Sequence, residues 1–274
     1  MKKIISVLLC AVMLLSAFSC IVFAQDKLNY VVLGDSIARG AGIYNSDEAC
    51  FGRIVANTNG YNYKNYGIDG YTSWQLVDYI RTDDVTASIK DADIISLSIG
   101  GNDYLQQNVP LLIYQVTVGD FKIVNDIQDN YRENFADIIG YIKEINPDVV
   151  IIAQTLYNPR TDLIKNAYGE ATKRITEVVT DYAANNPGVI EVVDTIPVIE
   201  GKADCVALDG IHPSAVGNEE LAKLVLQKLY DLGLGENTEP VITVNGVDQI
   251  PGASRIFKLI REFFEKIKAM FTSL

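Results

Sequence analysis

From Leu28 onward the chain alternates short β-branched apolar runs with longer helical stretches, and this alternation constrains its fold more than any other feature. Strands separated each time by a helix pair in parallel, because the helix carries the chain back to the end of the sheet where the previous strand began. The apolar runs predict strands at Tyr30 to Leu33, Tyr61 to Tyr66, Ile94 to Ile99, Val149 to Gln154 and Val189 to Val193. Helices are predicted over Ser73 to Arg81, Asn130 to Ile145, Lys165 to Asn185 and Ser214 to Leu232, with Asn146-Pro147 and Asn186-Pro187 supplying two of the stops. The expected fold class is α/β, a three-layer α/β/α sandwich around a central parallel sheet of about five strands. At 274 residues, 49% of them apolar, the chain has enough material for such a core. Open parallel sheets bind ligands beyond the carboxyl ends of their strands, and Ser36, Gly70 and Asn102 each fall shortly after such an end.

The two termini stand apart from this pattern. Met1-Lys2-Lys3, an apolar run from Ile4 to about Phe23, and Ala24 before Gln25-Asp26-Lys27 follow the positive, apolar, small order of a secretory signal. A run of this length also suits a retained membrane anchor, but Val22-Phe23-Ala24 offers a cleavage site and favours removal of residues 1–24. Cys20 fits a lipoprotein poorly, given Phe18 and the apolar residues after it. The expected organisation is a signal peptide over 1–24, one α/β domain over 25–234 and an extension over 235–274, in an exported protein. With 35 acidic residues against 23 basic ones, the chain lacks the clustered Lys and Arg that nucleic-acid phosphates require. Its acidity suits solubility. Cys50 and Cys205 are the two cysteines beyond the presequence, and in an oxidising compartment a disulfide between them is expected, with two buried free thiols as the alternative.

His212 is the single histidine of the chain. A serine hydroxyl near neutral pH attacks a carbonyl only when a general base takes its proton, so serine chemistry here has one candidate imidazole. It lies in Asp209-Gly210-Ile211-His212-Pro213, with an aspartate three residues upstream. At the other end of the domain, Gly34-Asp35-Ser36-Ile37-Ala38-Arg39-Gly40 places Ser36 on a tight turn after the first strand, where a backbone N–H is free to bind an oxyanion. Standing alone, this is an ordinary helix cap. Asn65-Tyr66-Gly67-Ile68-Asp69-Gly70 reads as a turn in which glycine lets backbone approach a ligand. Ile99-Gly100-Gly101-Asn102-Asp103 ends a buried strand with an amide that is either a turn former or a donor to a developing oxyanion.

Taken together and in this order, the four segments resemble the blocks of the SGNH or GDSL hydrolase superfamily of serine esterases and lipases, over about Tyr30 to Leu232. The resemblance implies the flavodoxin-like SGNH hydrolase fold for residues 25–234. It implies Ser36 as nucleophile, His212 as general base and then acid, and Asp209 as the group that orients His212. It also implies an oxyanion hole built from the Ser36 and Gly70 backbone N–H groups and the Asn102 amide. The implied chemistry is acyl transfer without cofactor or metal. One histidine and two distant cysteines are poor material for zinc or iron, which leaves carboxylate-held Ca²⁺ as the metal this composition would serve.

The substrate expected from export, acidity and the tyrosine content is a short-acyl, acetyl ester on a polysaccharide or smaller carbohydrate. A lipase or lysophospholipase acting on longer chains is the alternative, and a noncatalytic glycan-binding module a distant one. Residues 104 to 129 fit no clean period and are read as an elaborated active-site loop, against a short irregular helix packed away from the site. After Gly235 come a hairpin-like stretch over Val241 to Val247 and a terminal helix in which Ile256, Ile260, Phe263, Ile267, Met270 and Leu274 recur at spacings of three and four. The basic residues on the rest of that helix suggest contact with a membrane or a protein partner, with docking on the domain itself as the alternative.

Overall fold

A strand in a parallel sheet is covered on both faces, so its residues are buried throughout and do not alternate with exposed ones. Ile94-Ile95-Ser96-Leu97-Ser98 is such a strand, buried at every position. The computed structural model describes residues 27–162 and 164–250, and the expected signal peptide and terminal helix lie outside the described residues. Among these residues the strands are β1 (Asn29–Gly34), β2 (Asn62–Gly67), β3 (Ile94–Ser98), β4 (Val150–Gln154) and β5 (Glu191–Val193). All pair in parallel, in the order β2-β1-β3-β4-β5. They are the five expected strands, with ends displaced by at most two residues.

The helices are α1 (Ser36–Arg39), α2 (Ser46–Ala49), α3 (Phe51–Asn59), α4 (Ser73–Tyr79), α5 (Asp83–Lys90), α6 (Gly101–Leu105), α7 (Val109–Thr117), α8 (Lys122–Ile145), α9 (Lys165–Asn185), α10 (Ile196–Ile199) and α11 (Ala215–Asp231). One face of the sheet packs Val31, Leu33, Ile95, Leu97 and Ile151 against α4, α5, α8 and α9. The other packs Tyr30, Val32, Ile94 and Ile152 against α3 and α11. This is the expected three-layer sandwich. No helix among the described residues is long and apolar enough to cross a membrane.

The strand order reverses direction at β1, so connections diverge there and a crevice opens at the carboxyl ends of β1 and β3. Register sharpens this, because Gly34 stands opposite Gly67 on one side and Ser98 on the other. The three strands end level, and the loops that follow them start side by side. Gly34 makes the closeness feasible: its φ is +140°, and a Cβ there would sit 1.9 Å from the Ser98 carbonyl oxygen. Gly34→Ala is therefore expected to destabilise the fold by about 3 kcal/mol or more, since left-handed strain adds to a backbone clash. Gly60 also has positive φ but meets nothing within 4 Å, so Gly60→Ala is expected to cost only about 1 kcal/mol. Urea midpoints of the two variants measure the difference.

Three expectations are corrected. Residues 104 to 129 are mainly helical, comprising the end of α6, all of α7 and the first turns of α8. Asn108 caps α7 by accepting from the Leu111 N–H at 3.2 Å. The helical period is masked because α7 is apolar on both faces, with Leu112 buried and Leu111 and Tyr114 exposed. The stretch over Val241 to Val247 is not a hairpin, since the extension pairs instead with residues 42–44. Tyr44 N–H donates to the Val247 carbonyl at 2.7 Å, Gln249 N–H donates to the Gly42 carbonyl at 2.8 Å, and Ile43 forms an antiparallel bridge with Asp248. Gly246 serves close approach, because a Cβ there would meet Ala215 of α11 at 2.7 Å.

The expected disulfide is absent, and Cys50 and Cys205 are both free and buried. The first turn of α11 stands between them. Its Asn218 accepts from the Phe51 N–H at 3.0 Å beside Cys50, while Gly217 lies against the Cys205 carbonyl. The Cys50 Sγ instead contacts the Tyr63 hydroxyl at 3.3 Å.

Candidate active site

Three of the loops at the crevice combine short local caps with bonds that run from one loop to the next. After β1, Asp35 caps α1 by accepting from the Ile37 N–H at 2.9 Å, and this places Ser36 as the first helical residue. Asp35 is almost fully buried, and burial pushes its carboxyl up to about 7 against the opposing pull of the Ile37 hydrogen bond. An acid whose pKa is raised on folding contributes stability that is complete below its unfolded value near 4 and declines as pH rises to about 7. Asp35→Asn keeps the capping oxygen and removes the titration. The fall in melting temperature between pH 5 and pH 8 is thus expected to be smaller in the variant, and an equal fall in both proteins refutes this assignment.

After β2, Gly70 adopts a φ of +80°, and Gln106 of the loop following α6 donates to its carbonyl. Thr72 and Gln75 then form a capping box that opens α4. After β3, Asn102 donates one amide hydrogen to the Tyr71 carbonyl at 2.9 Å. Its second N–H takes no partner among the described residues and is left for a ligand. Asp103 ties these two loops together. Its carboxylate accepts from the Ser73 N–H at 2.9 Å and from the Ser73 hydroxyl, which in turn accepts from Asn134 of α8 at 2.9 Å. Burial raises the Asp103 pKa, with the Ser73 bonds pulling the other way.

The fourth loop precedes α11 and folds back on itself. Val206 and Pro213 form an antiparallel bridge, Ala207 N–H donates to the His212 carbonyl at 2.8 Å, and the Tyr157 hydroxyl donates to the Ile211 carbonyl at 3.0 Å. Within it, one Asp209 oxygen accepts from the Ile211 and His212 N–H groups at 2.9 and 3.0 Å. The other lies 2.7 Å from His212 Nδ1, and His212 Nε2 lies 2.9 Å from Ser36 Oγ. Partial burial of Asp209 opposes its charge, but the His212 ring and the two backbone donors outweigh it and hold the carboxyl down at about 2. A carboxylate ionised over that range only accepts, so it selects the tautomer with hydrogen on Nδ1 and leaves Nε2 to accept from Ser36.

Ser36, Gly70, Asn102, Asp209 and His212, which lie far apart in sequence, therefore line one cleft of about 430 Å³. Cys50 and Cys205 do not line it. Asp35, Asp103 and Gln106 also build the site without having been expected from the sequence, although Asp35 and Asp103 stand directly beside Ser36 and Asn102. No cluster of three or more His, Cys, Asp or Glu capable of holding a metal ion occurs among the described residues.

The GDSL-like lipase/acylhydrolase family profile matches residues 32–220, the span that carries all four loops. The chain belongs to this family. It is a carboxylic ester hydrolase of the GDSL-like lipase/acylhydrolase class. An uncharacterized protein, YpmR, of Bacillus subtilis (strain 168) is 27% identical over 227 residues, covering 77% of this chain and 84% of that one. The lipase Lip_vut3 from a goat rumen metagenome superposes with a TM-score of 0.60 at 21% identity, covering 77% of this chain and 99% of that one. A family 3 carbohydrate esterase of Clostridium thermocellum superposes with a TM-score of 0.51 at 19% identity, covering 77% and 100%. A lipase and a carbohydrate esterase thus share this GDSL fold, and the fold leaves the substrate open.

Proposed function

We propose that the protein hydrolyses carboxylic esters through an acyl-enzyme on Ser36. The observation that carries this reading is the continuous hydrogen-bonded chain from Asp209 through His212 to Ser36, opening on a cleft that also holds Gly70 and Asn102. His212 Nε2 takes the Ser36 proton as Oγ attacks the ester carbonyl, and the charge that develops on the carbonyl oxygen falls to the N–H groups of Ser36 and Gly70 and the free N–H of Asn102. The protonated His212 then gives its proton to the departing alcohol. Water enters, loses a proton to His212, attacks the acyl carbon, and the proton returns to Ser36 as the acid leaves. Asn102→Ala is expected to lower kcat by about 10²- to 10³-fold with little change in KM, because the lost donor acts mainly on the transition state. Steady-state kinetics on an activated ester measure both constants.

The general test is hydrolysis of p-nitrophenyl esters from acetyl to palmitoyl by the wild type and Ser36→Ala. Ser36-dependent turnover of any member supports the reading, and activity undiminished in the variant refutes it. Apolar residues around the cleft, among them Ile37, Leu105 and Leu156, support the longer-chain alternative over the acetyl carbohydrate ester expected from composition. We also place the protein outside the cytoplasm, a reading supported by the sequence of residues 1–24; a secreted product whose N-terminus is Gln25 is the expected finding.

A further inference from the structure

Beside the catalytic cleft lies a second pocket of about 140 Å³, enclosed by α6, α7 and α9 and walled by apolar side chains that include Leu105, Leu112, Ile113, Ala167, Ala171 and Ile175. It adjoins the cleft, and Gly101, Leu105, Leu156, Tyr168 and Ile211 line both. Two of these adjoin the reacting groups: Gly101 precedes Asn102 and Ile211 precedes His212. We propose that this pocket receives the acyl chain of the substrate and that the protein is selective for medium-chain acyl esters. The proposal rests on the acyl-enzyme reading of Ser36 and adds the substrate class to it.

Helices pack closely against one another, so an apolar recess of this size between them calls for an explanation in the residues that border it. Here the room is made by small side chains on one face of α9, Ala167 and Ala171 one turn apart, where a leucine would fill it. A cavity lined this way attracts alkyl groups and holds little for a sugar hydroxyl to bond. The cleft outside the pocket is mixed, with the Arg39–Asp69 ion pair at 3.4 Å and Gln249 on its lining beside the apolar Ile37. A polar alcohol suits that side and an alkyl chain suits the pocket, with the ester carbonyl between them at Ser36.

The volume sets a length. A cavity of about 150 Å³ holds a benzene-sized group, so this pocket takes about six carbons of an acyl chain beyond the ester carbonyl. Each methylene buried there is expected to raise kcat/KM by about fourfold until the pocket is full.

The experiment is kcat/KM across p-nitrophenyl acetate, butyrate, octanoate, dodecanoate and palmitate for the wild type, Ala171→Leu and Ile113→Ala, with Ser36→Ala as the reference for the chemistry. The wild type is expected to favour octanoate over acetate by at least about a hundredfold, with no further gain at dodecanoate. Ala171→Leu fills the pocket and is expected to cut the octanoate-to-acetate ratio by tenfold or more. Ile113→Ala enlarges it and is expected to move the optimum toward dodecanoate, a shift that damaged folding does not produce. A Ser36-dependent wild type that cleaves acetate as well as octanoate overturns the pocket assignment and leaves the acyl-enzyme standing. Hydrolysis that does not depend on Ser36 overturns both.

Discussion

Ser36→Ala is expected to lower kcat on the best ester substrate by on the order of 10⁵- to 10⁶-fold, His212→Ala by nearly as much, and the double variant by no more than the worse of the two. The reason for non-additivity lies in the geometry. In the proposed mechanism the 2.9 Å contact between His212 Nε2 and Ser36 Oγ makes the two one proton-transfer unit, so once either is gone the other has no partner to serve. The size of the His212 effect follows from the sequence as well, because the chain contains no second histidine to take over as base. What remains in the double variant is the contribution of the oxyanion donors and of substrate binding. Single-turnover rates for the three variants decide the matter. A double variant slower than either single variant by the product of their separate effects would show that the two residues act independently, and the proposed unit would then be wrong.

The sheet was largely legible in advance because strands buried on both faces carry a strong local signature: Tyr30-Val31-Val32-Leu33 and Ile94-Ile95-Ser96-Leu97 admit few other structures. Ser36, Asn102, Asp209 and His212 stood out because the segments that carry them, each after a strand or before a helix, together resemble the blocks of a known family, and two of those segments are shaped by bonds within a few residues. The Asp209 oxygen that accepts from Ile211 and His212 is an example, as is the Asp35 cap on Ile37. The bonds that fix one loop against another were not legible. Asp103 reaches Ser73 across 30 residues and Ser73 is held by Asn134 across 61, and nothing local announces either. The same limit explains the cysteines. Their chemistry and compartment argued for a bond, but the first turn of α11 between them is a matter of tertiary packing. Helix α7 escaped for a different reason: an element that buries one apolar side and exposes another has no amphipathic period to detect. That unusual surface also forms a wall of the proposed acyl pocket, so the feature that hid the helix belongs with its role.

Asp209→Asn is expected to lower kcat by about 10⁴-fold while leaving the loop folded. An asparagine oxygen still accepts from the Ile211 and His212 N–H groups, which hold the segment in shape. The change falls at the second position, 2.7 Å from Nδ1, where an oxygen that only accepts becomes an amide that donates. The ring then presents a bare Nδ1 to that amide and carries its hydrogen on Nε2, where Ser36 needs an acceptor. Stability supplies a separate readout of the same bonds. A carboxyl held at about 2 when folded and near 4 when unfolded contributes stability that is present above about pH 4 and is lost as pH falls toward 2. The variant has no such group, so its melting temperature is expected to fall less than that of the wild type between pH 5 and pH 2.5. Activity lost between pH 5 and pH 7 belongs to another group, since Asp209 stays ionised throughout that range. If Asp209→Asn keeps kcat within tenfold of the wild type, His212 is oriented by something other than this carboxylate. If the two proteins lose melting temperature equally in acid, the 2.7 Å contact is not the charge-bearing bond that the geometry indicates.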